Sequence, residues 1–461
     1  MESIILVEER GRVTPKPLVH YIQHEFDVPA DTTAVTMTLR YRKRQLCQLF
    51  ISLFAPDGFR GCHMQPGAQG EIMLQLRVAS DSASRGGIAG PITPGRWRAQ
   101  IDIERTAEES DYLLTIAIEQ GGPAAPAAEP FPEDYVANPA PGWYRGELHA
   151  HSWESDGKAP VADVVAAARH YGLDFLALTD HFTISGFGEL GRLVGPGLAL
   201  IRSCELTGHA GHANIHGLRR WHDIYVDGRE DWDINALARD VRAAGGLFCV
   251  NHPFSNSLGW RYHEFDWNLA DMIEVYHHLE GINNLYQIGL WDEQLRAGRR
   301  IVGVAGIDSH HPHEQRHRLG QVFTAIYADS LSEAGIIAGL RRGKVYLTRG
   351  PELLLHAEGP DGSAEIGEEI AAGPLTITAQ VGPVHFPFRL FLFKNGLFHD
   401  LVEQFTATSE PLAIGFEDPA ARAGDYFRAE LHAIFPNEEN PWKRQRDHQS
   451  MLAMTNPIFV I

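Results

Sequence analysis

In the middle of this chain seven short β-type runs each end in side chains that bind metal ions, and no other feature constrains the fold as much. Residues 144–148 run into His149-Ala150-His151, 174–179 into Asp180-His181, and 199–204 into Glu205. Residues 213–216 carry a further cluster. Residues 246–250 then run into Asn251-His252-Pro253, 272–276 into His277-His278, and 301–307 into Asp308-Ser309-His310. Sixteen of the 24 histidines fall between Trp143 and His317, so they are concentrated rather than scattered. Between the runs, residues 159–171, 234–244 and 331–342 space their apolar side chains three to four apart, as amphipathic helices do. Strand–helix alternation predicts a parallel α/β sheet or barrel, whose functional groups gather at the carboxyl ends of the strands. His149 and His151 are two apart and share one face of a strand, and Asp308 with His310 repeats that spacing. A His/Asp/Glu set without Cys favours Zn, Mn or Fe over Ca or Mg, and mixed N/O ligation is the catalytic rather than the closed structural type.

The flanks read differently. The chain has 461 residues. At roughly 100–200 residues per domain, that leaves room for two to four domains. Residues 34–41, 47–54, 72–78 and 97–103 are β-type runs separated by turn signals such as Pro56-Asp57-Gly58. They predict an antiparallel sandwich over 1–120. Residues 121–142 contain six Pro and six Ala. They read as an extended linker unable to sustain helix or ladder hydrogen bonds. After the catalytic-type segment 143–351, residues 375–381, 388–393 and 427–434 are again β-type, with a hairpin turn at Asn395-Gly396. The expected architecture is α/β: a distorted seven-stranded β/α barrel over 143–351, flanked by β-sandwich-like domains at 1–120 and 352–461.

Charge and composition exclude some functions. Lys+Arg 40 against Asp+Glu 59 leaves a formal charge of −19, which disfavours coating of nucleic acid by cation–phosphate contacts. The four cysteines are scattered without a CxxC pair and read as reduced, buried thiols. The first residues lack a basic leader with a long apolar core, and no transmembrane run is apparent, so no membrane partner and a cytoplasmic location are expected.

Taken together and in order, His149-Ala-His151-Ser-Trp-Glu-Ser-Asp156-Gly, Leu178-Thr179-Asp180-His181, Cys204-Glu205-Leu-Thr, Asn251-His252-Pro253 and Gly306-Ile-Asp308-Ser-His310 resemble the PHP (polymerase and histidinol phosphatase) superfamily across about 200 central residues. The resemblance implies a metal-dependent hydrolase whose distorted seven-stranded barrel holds two or three divalent transition metal ions. By motif match His149 and His151 hold one ion, Asp308 completes its ligand set, and Glu205 bridges to a second ion that His252 also holds. Asp156, His181 and His310 form a third site. One position departs from the phosphatase-like pattern: Asn214 stands where another histidine is expected. Gly211-His212-Ala-Asn214 is similar instead to the branch named for carbaryl hydrolase, which cleaves an aryl carbamate. His212, Asn214 and His216 share a face by period two, so which of them serves the second site stays open.

The remaining polar groups have plainer readings. Asp180 is expected to orient a ligand histidine. His277, His278, His311 and His313 read as rim or surface groups, and His170 as an ordinary helix residue. Arg145, Arg202 and Arg316 read as solvated or paired, with an anionic substrate as the alternative. No GxSxG elbow is present, so the expected nucleophile is a metal-bound water rather than a protein side chain. The expected activity is phosphoester hydrolysis on a small-molecule substrate. Carbamate or carboxyl ester hydrolysis comes next, and a non-catalytic metal-binding scaffold is the rival from another class.

Overall fold

The computed structural model describes residues 3–461 except 18, 44–46, 66–68, 122–130, 224–232, 279, 405 and 435–449. Two four-stranded antiparallel sheets form the N-terminal sandwich. One orders Ser3–Val13, Ser110–Gln120, Thr32–Lys43 and Gly70–Ala79, and the other Tyr21–Val28, Gly95–Thr106, Cys47–Ala55 and Gly58–Met64. Strand Cys47–Ala55 is buried along its whole length, and period two explains why. Leu49, Ile51 and Leu53 enter the sandwich core with Trp97 and Ile101. Phe50 and Phe54 point the other way and join Phe59, Cys62 and Met64 in the core of the central region. The sandwich is therefore docked on the middle of the chain through the outer face of its second sheet.

The seven central strands follow the order Gly142–Ala150, Phe175–Leu178, Ala199–Gly208, Gly211–His216, Leu247–Val250, Met272–His277 and Val302–Gly306. All neighbours are parallel except around Gly211–His216, which runs antiparallel to both of its partners. Helices Val161–His170 and Ile234–Ala243 lie where the apolar spacing puts them, and a third helix occupies Glu333–Arg342.

The expected closed barrel is not what forms. Among the described residues no ladder joins the seventh strand to the first. Residues Gly142–Gly146 instead pair antiparallel with strand Phe323–Ala328. Only the carboxyl end of the first strand is left to meet the seventh, through a single parallel bridge between Ala150 and Ser309. Side chains seal the rest of that seam. Gly303 exchanges hydrogen bonds with the Asn456 amide (2.8 Å each way), the Ala305 N–H donates to Thr324 Oγ1 (3.0 Å), and the Ile307 N–H donates to Glu147 Oε1 (3.1 Å). Alternate edge groups are thereby satisfied without a closing strand, as buried backbone requires.

Beyond Phe323–Ala328 the same sheet continues through Val345–Thr348, Met451–Thr455, Tyr426–Ala433, Phe388–Lys394 and Leu397–Gln404. A four-stranded sheet (Gly362–Glu365, Leu353–Gly359, Gly373–Val381, Leu412–Ala421) contributes Leu355 and Ile377 to a core shared with Leu390 and Leu431 of this extension. Ladder hydrogen bonding thus crosses position 351. The turn Asn395-Gly396 has both residues at positive φ, 54° and 71°. A tight hairpin of this type demands that conformation.

Much of the Pro/Ala stretch, residues 122–130, lies outside the described residues. Its later part does pair: Val136–Asn138 forms a short antiparallel ladder with Leu331–Ser332, contrary to the expectation of a strand-free linker. Among the described residues no helix is long and apolar enough to cross a membrane.

Candidate metal centre

The strand ends bring His149, His151, Asp156, His181, Glu205, His252, Asp308 and His310 together, with ligand atoms of each group within 4.8 Å of one another. One group is His149, His151, Glu205 and Asp308. A second is Glu205, His212 and His252, and a third is His151, Asp156, His181 and His310. Glu205 stands at the junction. Its Oε2 lies 3.2 Å from His149 Nε2 and 3.0 Å from His181 Nδ1, while its Oε1 lies 3.2 Å from His212 Nδ1 and 3.5 Å from His252 Nε2. Asp308 Oδ1 sits 2.9 Å from His151 Nε2, and Asp156 Oδ1 sits 3.1 Å from His310 Nε2.

Between His212 and His216, the geometry selects His212. The reason is strand direction. Because Gly211–His216 runs antiparallel, its first residues lie level with the carboxyl ends of its neighbours, and His216 is carried to the far end. His216 Nδ1 is paired with Ser203 Oγ (2.9 Å). Asn214 Nδ2 donates to the Leu148 carbonyl (3.2 Å), and its Oδ1 is buried without a hydrogen-bond partner in the protein.

Two more expectations need correction. His277 is not a rim residue: it is 2% exposed, and its Nε2 lies 3.7 Å from Asp308 Oδ2. Asp180 does not orient a histidine but accepts from Ser152 N–H (2.8 Å), Ser152 Oγ (2.7 Å) and Ser155 Oγ (2.7 Å), fixing the loop that follows His151. Histidine orientation falls instead to Glu274, which the sequence reading passed over. Its Oε1 takes His149 Nδ1 (2.7 Å) and its Oε2 accepts the His252 N–H (2.8 Å). His149 Nε2 is thereby left directed at the centre, as a carboxylate behind a ligand histidine arranges. A register shift between Glu274 and Tyr276 breaks the alternation of that strand. Such an irregularity re-aims side chains, so Glu274 and His277, three apart, both reach the centre. Arg202 is paired with Glu133 and Glu333 (2.6 Å to each) and is closed to a substrate anion.

The electrostatics follow from crowding. Burial opposes charge on Glu205 and on Asp308, but the surrounding imidazoles prevail and hold both well below the usual carboxylate range, since nearby opposite charge favours the ionised form. Burial likewise opposes charge on His181 and His310. It is outweighed by Glu205 and Asp156 for the first and by Asp308 and Asp156 for the second, raising them to about 9 and about 10. Burial, aided by the neighbouring histidines, lowers His151 to about 4, and it lowers His212 to about 4 against the pull of Glu205. His151 and His212 are thereby held neutral beside ionised carboxylates, the donor state that a divalent cation requires. The fit to a metal is direct. His149 Nε2, both nitrogens of His151, Glu205 Oε2, His212 Nε2, His252 Nδ1 and Asp308 Oδ1 are all buried without a hydrogen-bond partner in the protein. The backbone is also bent to serve the site: Phe182, His252 and Asp308 adopt φ of 51°, 25° and 57°. Functional sites retain strain of that kind.

The N-terminal sandwich touches the loops that carry Asp156 and His181. The Gly86 N–H donates to Glu154 Oε2 and the Gly86 carbonyl accepts from Thr183 Oγ1 (2.9 Å each), Arg85 lies 4.3 Å over the Trp153 ring, and Phe50 packs 5.6 Å from Phe182.

No family model and no curated protein matches the chain. Among solved structures, it is similar to a two-domain protein containing a predicted PHP-like metal-dependent phosphoesterase from Bacteroides vulgatus ATCC 8482. Identity is 16% over 73% of this chain and 100% of that one, with a TM-score of 0.38. It also matches part of the infectious bursal virus derived T=1 particle, at 14% identity over 25% of this chain and 30% of that one, with a TM-score of 0.18. At these TM-scores neither likeness carries a fold or functional inference.

Proposed function

We propose that this chain is a metal-dependent hydrolase of the PHP type, a phosphoesterase acting on small-molecule esters in the cytoplasm with two or three divalent Zn, Mn or Fe ions. The observation that carries the reading is Glu205, a fully buried carboxylate whose two oxygens face two different histidine groups. When bound there, divalent ions supply Lewis acidity that activates water and polarises the scissile oxygen.

The chain's own residues set the conditions for that chemistry. Glu205, Asp308 and Asp156 provide ionised oxygens, and His151 and His212 provide neutral nitrogens. His149, His151 and Glu205 are at most 1% exposed and exclude bulk water from the inner side. The side chains of Asp308 and His310 are 19% and 22% exposed and form the open side, where a substrate enters. Cysteine does not supply the nucleophile: Cys47, Cys62, Cys204 and Cys249 are buried free thiols whose burial pushes their pKa up, away from the reactive thiolate. The carbamate reading rests on Asn214, whose Nδ2 is held by the Leu148 carbonyl while its Oδ1 is unpartnered, and it stands second.

A panel of chromogenic phosphomonoesters, phosphodiesters and carboxyl esters, assayed with added Mn or Zn alongside metal analysis, tests the proposal. Metal-dependent turnover of a phosphoester is expected. Metal-loaded protein inert on every ester would favour the scaffold reading, and full activity after chelation would end the metal mechanism.

A further inference from the structure

His277 has a buried ring whose two nitrogens both lack a hydrogen-bond partner in the protein. A histidine kept for packing would leave two polar atoms unpaired, which native interiors rarely tolerate. Its backbone is clamped by a residue that leaves the ring alone. The His277 N–H donates to Asn284 Oδ1 (2.8 Å), and its carbonyl accepts from Asn284 Nδ2 (3.1 Å). The ring is thereby aimed between His252, 5.2 Å away between centroids, and Asp308 Oδ2, 3.7 Å from Nε2. Ligand atoms of His252, His277 and Asp308 lie within 4.8 Å of one another.

We propose that His277 is a metal ligand, seating an ion with His252 and Asp308 Oδ2, so that Asp308 bridges two ions as Glu205 does. The inference rests on the metal-centre reading above and extends it. Asp308 Oδ1 faces His151 and His149, whereas Oδ2 faces His277, a division of oxygens that parallels Glu205. The seat shares His252 with the Glu205–His212 group and lies beside it. His277 thereby adds a donor that the motif pattern does not imply.

The test is metal binding, read apart from turnover. Wild-type protein and His277→Ala are stripped, reloaded with Mn, and compared by elemental analysis and calorimetric titration, with thermal melting of the stripped proteins as the folding control. The variant is expected to hold about one ion fewer per chain, or to bind its last ion at least ~10-fold more weakly. A variant with wild-type stoichiometry and affinity overturns the inference, whatever its activity. Wild-type protein that takes up no metal overturns the metal-centre reading itself, a distinguishable result. Should the variant fail to fold, anomalous scattering from wild-type crystals grown with Mn decides. A peak about 2.0–2.3 Å from a His277 ring nitrogen supports the ligand role, and peaks confined to the other groups overturn it.

Discussion

Two clusters of charge and imidazole are buried in this chain, and they differ in how their atoms are satisfied. Between helix Asn283–Arg296 and strand Tyr426–Ala433, Arg428 reaches Asp292 (2.6 and 2.9 Å) and Glu430 (2.5 Å). Glu430 then meets His432 Nε2 (3.0 Å), whose Nδ1 meets Ser450 Oγ (2.9 Å). Every member has a partner of opposite or complementary character. At the strand ends the balance differs: imidazoles outnumber carboxylates, and several buried ring nitrogens and carboxylate oxygens lack a hydrogen-bond partner in the protein. A closed network of that first kind fixes one element against another. An open one of the second kind has donor atoms free to hold a cation.

The largest expected effect comes from emptying the open cluster. Asp308→Ala removes a carboxylate that faces His149, His151 and His277, and its metal content and turnover should fall together. Activity should drop by roughly 100-fold or more, since loss of even a supporting partner costs about 10–100-fold. Chelation should reproduce the loss, Mn or Zn should reverse it in the wild type, and His170→Ala should change neither quantity. Metal analysis and steady-state rates on the same preparations check this.

Breaking the closed cluster should do the opposite. Arg428→Ala takes the cation away from the buried Asp292 and Glu430, leaving them the Tyr426 hydroxyl and His432 respectively, so stability should fall by about 3–5 kcal/mol. The surviving folded protein should keep wild-type metal stoichiometry. Denaturant unfolding combined with elemental analysis separates the two, and loss of metal in folded Arg428→Ala would show that the clusters are coupled.

The same two regions show how far the sequence could be read. Ligand-type residues at strand ends were legible because each run stops at its functional group, and the N-terminal strands were legible from period two. Three things were hidden. Strand direction, invisible in the pattern, decides His212 over His216. A register shift places Glu274 and His277 on one side, where alternation alone separates them. The longest helix, Asn283–Arg296, buries Asn284, Gln287, Asp292 and Gln294 among Ile288, Trp291 and Leu295. That mixture erases the apolar period by which a surface helix is recognised. Two of those polar residues clamp His277 and hold Arg428: Asn284 does the first and Asp292 the second. The barrel that fails to close was equally hidden, since it depends on side chains from Glu147, Thr324 and Asn456 that are remote in sequence.

Glu274 sharpens the comparison, because it is a satisfied group inside the open cluster. Glu274→Gln keeps an acceptor near His149 Nδ1 but removes the charge that favours its N–H tautomer. Metal affinity should weaken by about 10-fold, toward the lower end of the range for such partners. The fold should be retained, so competition with a chromophoric chelator reads the change.

The smallest effect concerns a third kind of buried group, a carboxylate satisfied by neutral partners. Asp102, on the sandwich face that docks against the central region, accepts from Ser52 Oγ (3.0 Å) and Gln100 Nε2 (2.7 Å). Burial raises it to about 7, with only partial relief from those hydrogen bonds, because desolvation disfavours the charged form. An unfolded Asp titrates near about 3.9. Its pKa is therefore higher in the folded state, so its contribution is fully present below about pH 4 and is lost as pH rises through about 7. Between about pH 6 and pH 7 the wild type should lose stability that Asp102→Asn retains, by roughly 1 kcal/mol, or about 2–4 °C in melting temperature. Comparing both proteins at each pH, stripped of metal, removes the titration of the histidine cluster from the difference. Parallel melting curves across that range would mean that Asp102 is ionised in the folded protein, and that its neutral partners suffice where the open cluster's carboxylates require a cation.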